Sequence, residues 1–237
     1  MRNLFSAEKM LKHWFKKKMT ITTATVIGFL LTGAMAFSAD VTDKVIINAD
    51  ETKNEGLIFN SGSQVVYVEN NGKIEITEKS KLQDSSAIRL QQDGDGKMKE
   101  LVNNGEIIVK NSDANFVNGI KLLGNSRVTN NNLINVESEK FGYGIFAIVT
   151  DKYTADMPVI ENNGTISVTA KSGGSALSIN NKSNKEINIV NTGVLKAGGH
   201  DNTRVVDLTN GKFRFENSGT VAIDGDKGYL LCNRWSC

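Results

Sequence analysis

From residue 57 onward, apolar and polar positions alternate in short runs, and the runs recur along the chain. Each recurrence is anchored by a three-residue element that begins with Asn. The six copies are Asn70-Asn71-Gly72, Asn103-Asn104-Gly105, Asn130-Asn131-Asn132, Asn162-Asn163-Gly164, Asn191-Thr192-Gly193 and Asn217-Ser218-Gly219. Two and four places beyond each element stand Ile74 and Ile76, Ile107 and Val109, Ile134 and Val136, Ile166 and Val168, Leu195 and Ala197, and Val221 and Ile223. The alternate places are mostly polar, as at Lys73 and Glu75. A period of two with one apolar face predicts a half-buried strand. Four places before the end of each element stand Val68, Leu101, Val128, Ile160, Ile189 and Phe215, which predicts a second strand entering the turn. A third apolar stretch lies upstream in every copy, from Leu57-Ile58-Phe59 to Val205-Val206-Asp207-Leu208.

The last residues of the elements are 33, 27, 32, 29 and 26 positions apart. A loose period in this range predicts a solenoid. One unit of three short strands cannot bury its own apolar side chains, whereas stacked units share a continuous core. The fold class is therefore all-β, a parallel β-helix of about six three-strand coils over 57–227. At ~4.8 Å per coil it would be about 29 Å long. An up-and-down β-barrel is the alternative, but it leaves the third strand and the long period unexplained. Residues 37–56 read as a polar N-terminal cap around Val45-Ile46-Ile47, and residues 228–237 as an incomplete coil or tail.

The recurring element reads as a corner. Gly72, Gly105, Gly164, Gly193 and Gly219, with Asn132 in the sixth copy, are expected to take a positive φ there. Asn70, Asn103, Asn130, Asn162, Asn191 and Asn217 are expected to stack coil on coil as a hydrogen-bonded ladder inside the rod.

Residues 1–36 follow a different pattern. Lys16-Lys17-Lys18 precedes a mainly apolar run from Thr20 to Phe37 that ends in small residues. A basic region, an apolar region and an Ala-x-Ala site predict a helical signal peptide, removed on export. Cleavage falls after Ala36, with Ala34 completing the site, or alternatively after Ala39. Threonines and glycines interrupt the apolar run, which suits a retained membrane span poorly.

The long charged and aromatic leader resembles the extended signal peptides of large Gram-negative autotransporters. The Asn-Asn-Gly-x-Ile-x-Val repeats behind it look like the passenger domains of type V autotransporters and haemagglutinin-like adhesins. That resemblance implies a right-handed parallel β-helix, a location at the cell surface, outer membrane or outside the cell, and a role in adhesion and virulence. It also implies an outer-membrane barrel, of which this chain shows no alternating series. Truncation of a longer passenger is one reading of the C-terminus. The other is a small cap closed by a disulfide between Cys232 and Cys237.

Charge narrows the partners. Residues 1–36 hold six of the 28 basic groups and one of the 26 acidic ones, leaving 22 basic and 25 acidic groups in the body. Such a body lacks the concentrated positive face that nucleic acid requires. The expected partners are the export machinery and a surface receptor on host or neighbouring cells. No catalytic, cofactor or metal-binding residue is assigned. His200 sits in a Gly-rich loop with nothing to select a triad. Asp93-Gly94-Asp95-Gly96 and Asp224-Gly225-Asp226 lack the further ligands of a calcium loop. The expected function is adhesion through variable loops at 77–86, 137–143, 150–157 and 198–203, with Ile108, Leu133 and Val194 as an outward apolar strip. A carbohydrate-active β-helix enzyme is the second reading, and a non-functional remnant of a longer adhesin gene the third.

Overall fold

Valine and isoleucine at every second position favour extended backbone, and each such run finds its partner one repeat away. The computed structural model describes residues 43–94, 96–111, 115–199, 202–225 and 228–233. They form twenty-one strands in seven successive triplets. The first triplet is β1 (Lys44–Ile47), β2 (Thr52–Lys53) and β3 (Leu57–Phe59). The second is β4 (Tyr67–Asn70), β5 (Lys73–Ile76) and β6 (Ser86–Gln92), and the third β7 (Lys99–Asn103), β8 (Glu106–Asn111) and β9 (Phe116–Gly124). Then come β10 (Ser126–Asn130), β11 (Leu133–Ser138) and β12 (Phe141–Val149), followed by β13 (Ile160–Asn162), β14 (Thr165–Ala170) and β15 (Gly173–Asn181). The last two are β16 (Glu186–Asn191), β17 (Val194–Gly199) and β18 (Arg204–Thr209), and β19 (Lys212–Asn217), β20 (Thr220–Asp224) and β21 (Tyr229–Asn233).

Every strand pairs in parallel with its counterpart in the adjoining triplets. The result is three seven-stranded sheets, ordered β1-β4-β7-β10-β13-β16-β19, β2-β5-β8-β11-β14-β17-β20 and β3-β6-β9-β12-β15-β18-β21. The fold is thus an all-β parallel solenoid with three sheets. The six copies of the sequence repeat lie within it, with β1 and β2 ahead of them and β21 after. Residues 44–47 and 52–53, in the segment expected to cap the rod, supply the first strands of two sheets.

The core consists of rows of like residues. One row of the second sheet runs Ile74, Ile107, Ile134, Ile166 and Leu195, all fully buried, and one of the third runs Ile88, Ile120, Ile145, Leu177 and Val206. Burying each such side chain is worth about 1.5–3 kcal/mol. A one-residue slip in register would send a whole row to solvent, so these rows fix the alignment of the coils.

The corners require a correction. None of Gly72, Gly105, Gly164, Gly193 and Gly219 has a positive φ, and neither does Asn132. Glycine is needed because successive corners touch. A Cβ built on Gly105 would overlap the Gly72 carbonyl oxygen, and one on Gly193 the Gly164 carbonyl oxygen. Where Asn132 brings a Cβ, the coil-to-coil bond from Leu133 N to Gly105 O lengthens to 3.4 Å, against 2.7–2.9 Å at the equivalent bonds of Glu106, Thr165, Val194 and Thr220. The amides of Gly105, Gly164, Gly193 and Gly219 also donate to an asparagine carbonyl one coil away, and the Asn132 amide makes no such bond.

Candidate binding face

The six repeat asparagines hold the rod together from within. Nδ2 of Asn70 donates to Oδ1 of Asn103 at 2.7 Å, Asn103 to Asn130 at 2.7 Å, and Asn130 to Asn162 at 2.8 Å. Asn162 to Asn191 and Asn191 to Asn217 are both 2.6 Å. The second Nδ2 hydrogen is directed at backbone carbonyls such as Leu133 O, Asn132 O and Gly164 O. The ladder begins at Asn70 because Ile47 occupies the preceding register position and offers no donor. Asn70 Oδ1 is accordingly buried without a partner.

A second ladder, which the repeat pattern did not reveal, runs along the outside of the same corner. Asn104 Nδ2 donates to Asn71 Oδ1 at 2.9 Å, Asn131 to Asn104 at 2.8 Å, Asn163 to Asn131 at 3.0 Å, and Thr192 Oγ1 to Asn163 at 2.8 Å. Its donors point toward the N-terminus, opposite in sense to the inner ladder. The doubled Asn-Asn of four copies was the available signal. Both ladders leave their amides committed to one another, so the corner supplies structure and no ligand-binding groups.

The second sheet's outer face presents charge in local pairs. Lys73 bridges Glu75 at 2.7 Å and Lys196 bridges Asp224 at 2.8 Å. The outward apolar strip expected there does not form. Ile108 lies between Glu75 and Asn135, and Thr165 separates Leu133 from Val194.

The third sheet is different. Its central strand, β12, alternates until Gly144-Ile145, where two consecutive residues are buried. Ala87, Gly119, Ala176 and Val205 mark the same slip in the neighbouring strands. Gly144 is required there, because a Cβ would run into the Ile166 side chain and the Ala176 carbonyl. The slip brings Tyr143 and Phe146 onto one outer surface, with ring centroids 5.8 Å apart and tilted by 57°. Phe141 stacks on Phe116 of β9 at 5.2 Å and 16°, and Phe116 is 52% exposed. Leu123 and Ile148 are half-buried beside them.

Charged groups flank this aromatic surface along the rod. In register, one outer row reads Arg89, Lys121, Phe146, Ser178 and Asp207. Arg89 and Lys121 share Asp84, at 3.0 and 2.6 Å, so this end carries a surplus of one positive charge. At the other end Arg204 Nη1 stands 3.7 Å from Asp207 Oδ2, while Asp207 Oδ1 is buried without a hydrogen-bond partner. From Arg89 to Asp207 is four coil steps, about 19 Å at ~4.8 Å per step. Rigid strands hold these side chains, so the surface is preorganised.

The loops expected to bind are more constrained. Residues 137–143 are not a loop, since Glu137 and Ser138 belong to β11 and Phe141–Tyr143 to β12. The sharp corner at Glu139-Lys140 is all that joins them. Residues 77–86 contain one 3-10 turn, Lys79–Lys81, and a bridge between Gln83 and Ser86. Residues 150–157 form a strap tied to the first sheet. Tyr153 is 3% exposed, its hydroxyl donates to Met157 O at 2.9 Å, and burial pushes its pKa up to about 12. Arg127 Nη1 reaches Met157 Sδ at 2.8 Å and Nη2 reaches Glu100 at 2.6 Å. In the stretch 198–203, residues 200 and 201 lie outside the described residues, and with them His200.

Lys99 is the least expected interior group. It is 1% exposed, and its ammonium donates to Ser63 O at 3.0 Å and Val65 O at 2.5 Å, with no carboxylate in contact. Burial lowers its pKa.

The signal segment 1–36, with Ala34 and Ala36, lies outside the described residues, as do Ala39, Asp95, Asp226 and Cys237. Cys232 is described by its backbone pairing with Asp207 in the third sheet. Among the described residues, no group of three or more His, Cys, Asp or Glu is placed to hold a metal ion, and no helix is long and apolar enough to cross a membrane. Fold and surface together define a three-sheet parallel β-solenoid with an aromatic outer face. Comparison with protein-family models, with characterised proteins and with solved structures finds no match in any of the three.

Proposed function

We propose that this chain is an exported, surface-displayed adhesin of the autotransporter-passenger kind, and that it binds its partner through the outer face of the third sheet. The carrying observation is the aromatic surface of Phe116, Phe141, Tyr143 and Phe146 on a rigid sheet, flanked by Arg89 and Lys121. Aromatic and Arg side chains dominate binding energy where they are held in place, which distinguishes this face from the pairwise-neutralised second sheet. Export rests on the leader pattern, and mature protein beginning at Phe37 or Asp40 would support it.

The test is binding of the purified chain to bacterial and epithelial cell surfaces. A Phe141→Ala/Phe146→Ala double variant should lose about tenfold or more in apparent affinity, the usual scale for truncating central aromatic anchors. A Lys73→Ala/Glu75→Ala variant on the second sheet should bind normally. Equal binding by all three proteins would remove the third sheet from the reading.

One observation favours the enzymatic alternative. Asp207, with its unpartnered Oδ1, stands beside Arg204 at one end of the aromatic face, and an acid beside a cation is what cleavage of an acidic polysaccharide uses. Turnover of a polyuronate that disappears in Asp207→Asn would establish this reading. Cell binding without turnover would leave adhesion.

A further inference from the structure

The chain contains five Asn-Gly pairs, at Asn71, Asn104, Asn118, Asn163 and Asn210. In a flexible peptide this dipeptide modifies itself. The deprotonated glycine amide nitrogen attacks Asn Cγ, a C–N bond forms, the bond to Nδ2 breaks, and ammonia leaves with the proton. Water then opens the cyclic imide at either carbonyl, giving aspartate or isoaspartate. The reaction needs a glycine N–H that is not engaged, a side-chain amide that can turn toward it, and backbone able to rearrange.

Four of the pairs are locked. The Gly105 and Gly164 amides donate to Asn70 O at 2.8 Å and Asn130 O at 3.0 Å, and the preceding Asn104 and Asn163 side chains are rungs of the outer ladder. Asn71 is held at both ends of its amide, by Glu69 and by Asn104, beside a buried Gly72 packed on the neighbouring corner. Asn118 lies inside β9, 6% exposed, with its Nδ2 directed at Ser85 O and Ser86 Oγ.

The pair at Asn210 differs from the four in exposure, backbone conformation and side-chain restraint, and its glycine amide, like that of the buried Gly72, is unengaged. It stands in the two-residue turn between β18 and β19, with φ +59° at Asn210 and +56° at Gly211. Both residues and Lys212 after them are exposed. The Gly211 amide has no hydrogen-bond partner, and a single bond restrains the side chain, Nδ2 to Asn180 Oδ1 at 2.8 Å. Such exposed turns open at low free-energy cost.

We infer that Asn210 is a self-modification site, the one Asn-Gly pair that the solenoid leaves reactive, and that the asparagine ladders protect Asn71, Asn104 and Asn163 while the interior of β9 protects Asn118. Conversion sets a carboxylate against Asn180 Oδ1 where an amide donor stood. It exchanges a cross-coil hydrogen bond for repulsion at the β18–β19 turn.

The purified chain is incubated at 37 °C and mildly alkaline pH, folded and in parallel in concentrated urea. Peptide mapping then follows the amide-to-acid mass change, and isoaspartyl methyltransferase labelling scores the isoaspartate. In urea the five sites convert at similar rates. In the folded chain Asn71, Asn104, Asn118 and Asn163 slow by about tenfold or more, while Asn210 stays within a few-fold of its urea rate. Suppression of Asn210 equal to that of the other four, or faster conversion at any of them, overturns the inference. Asn180→Ala removes the single restraint and should raise the folded-state rate at Asn210. An unchanged rate overturns the restraining role given to that bond.

Discussion

Replacing Asn130 by Ile tests whether the inner ladder behaves as one connected chain. In the middle of the ladder Asn130 accepts from Asn103 at 2.7 Å and donates to Asn162 at 2.8 Å. Its removal strands the Asn162 acceptor and weakens the Asn103 donor, which retains the Leu133 carbonyl at 3.2 Å. A newly unsatisfied buried polar group costs about 1–3 kcal/mol. One full loss, one partial loss and the imperfect fit of Ile give about 2–5 kcal/mol in all. Asn70→Ile is the control. It strands the Asn103 acceptor but deletes the Asn70 acceptor that already lacks a partner. The number of orphaned acceptors is unchanged, and Ile continues the row from Ile47. The expected cost is within about 1 kcal/mol. Urea denaturation of purified chains, followed by circular dichroism and fitted with a common slope, measures both. Equal losses for the two variants would refute a ladder whose energy depends on the count of stranded groups.

Other consequences of the packing are open to measurement. Gly164→Ala should cost about 1–3 kcal/mol, because its Cβ would overlap backbone atoms of Asn132. Gly62→Ala, with nothing within 4 Å, should be neutral or slightly stabilising. Lys99 has a folded-state pKa below its usual 10.5, so the unfolded chain binds more protons as pH climbs toward that value. Stability should therefore rise with pH over that interval relative to Lys99→Met, and parallel urea midpoints would check it. For Tyr153 the sign is opposite. Its folded pKa of about 12 exceeds the unfolded 10.0, so its contribution is complete below pH 10 and is lost as pH rises toward 12. Tyr153→Phe should remove that loss and delete a phenolate step near pH 12 from the ultraviolet titration.

The rod was legible because its determinants are local and repeated. Alternation at Ile74-Glu75-Ile76 sets which side chains turn inward, and the repeat length aligns each apolar position with its counterpart one coil away. The six first asparagines could be placed on that basis, since one position per repeat, always two before a corner, must fall in one row. The corner glycines were misjudged because φ and close approach both select glycine. Only the neighbouring coil shows that the Gly72 oxygen occupies the place of a Gly105 Cβ. Residues 137–143 read as one of the variable connections between strands, yet Phe141–Tyr143 belong to a nine-residue strand.

By itself the sequence determined the parallel solenoid, its three strands per coil, the aliphatic rows and the position of the inner asparagines. All of these follow from a period of two repeated at a longer period. The tertiary structure alone decided three further things. The phase slip at Gly144-Ile145 joins Tyr143 to Phe146 and makes the third sheet's outer face aromatic. The Tyr153 strap fastens a connection that would otherwise project into solvent. The two ladders run in opposite senses, and Ile47 in the preceding register position leaves Asn70 Oδ1 of the inner one unpaired. The ladders and the strap's bond to Arg127 join atoms about thirty residues apart across one coil step, and the slip is held where Gly144 meets Ile166 and Ala176 of the next coil. A local pattern of apolar and polar positions carries no record of which atoms face each other there.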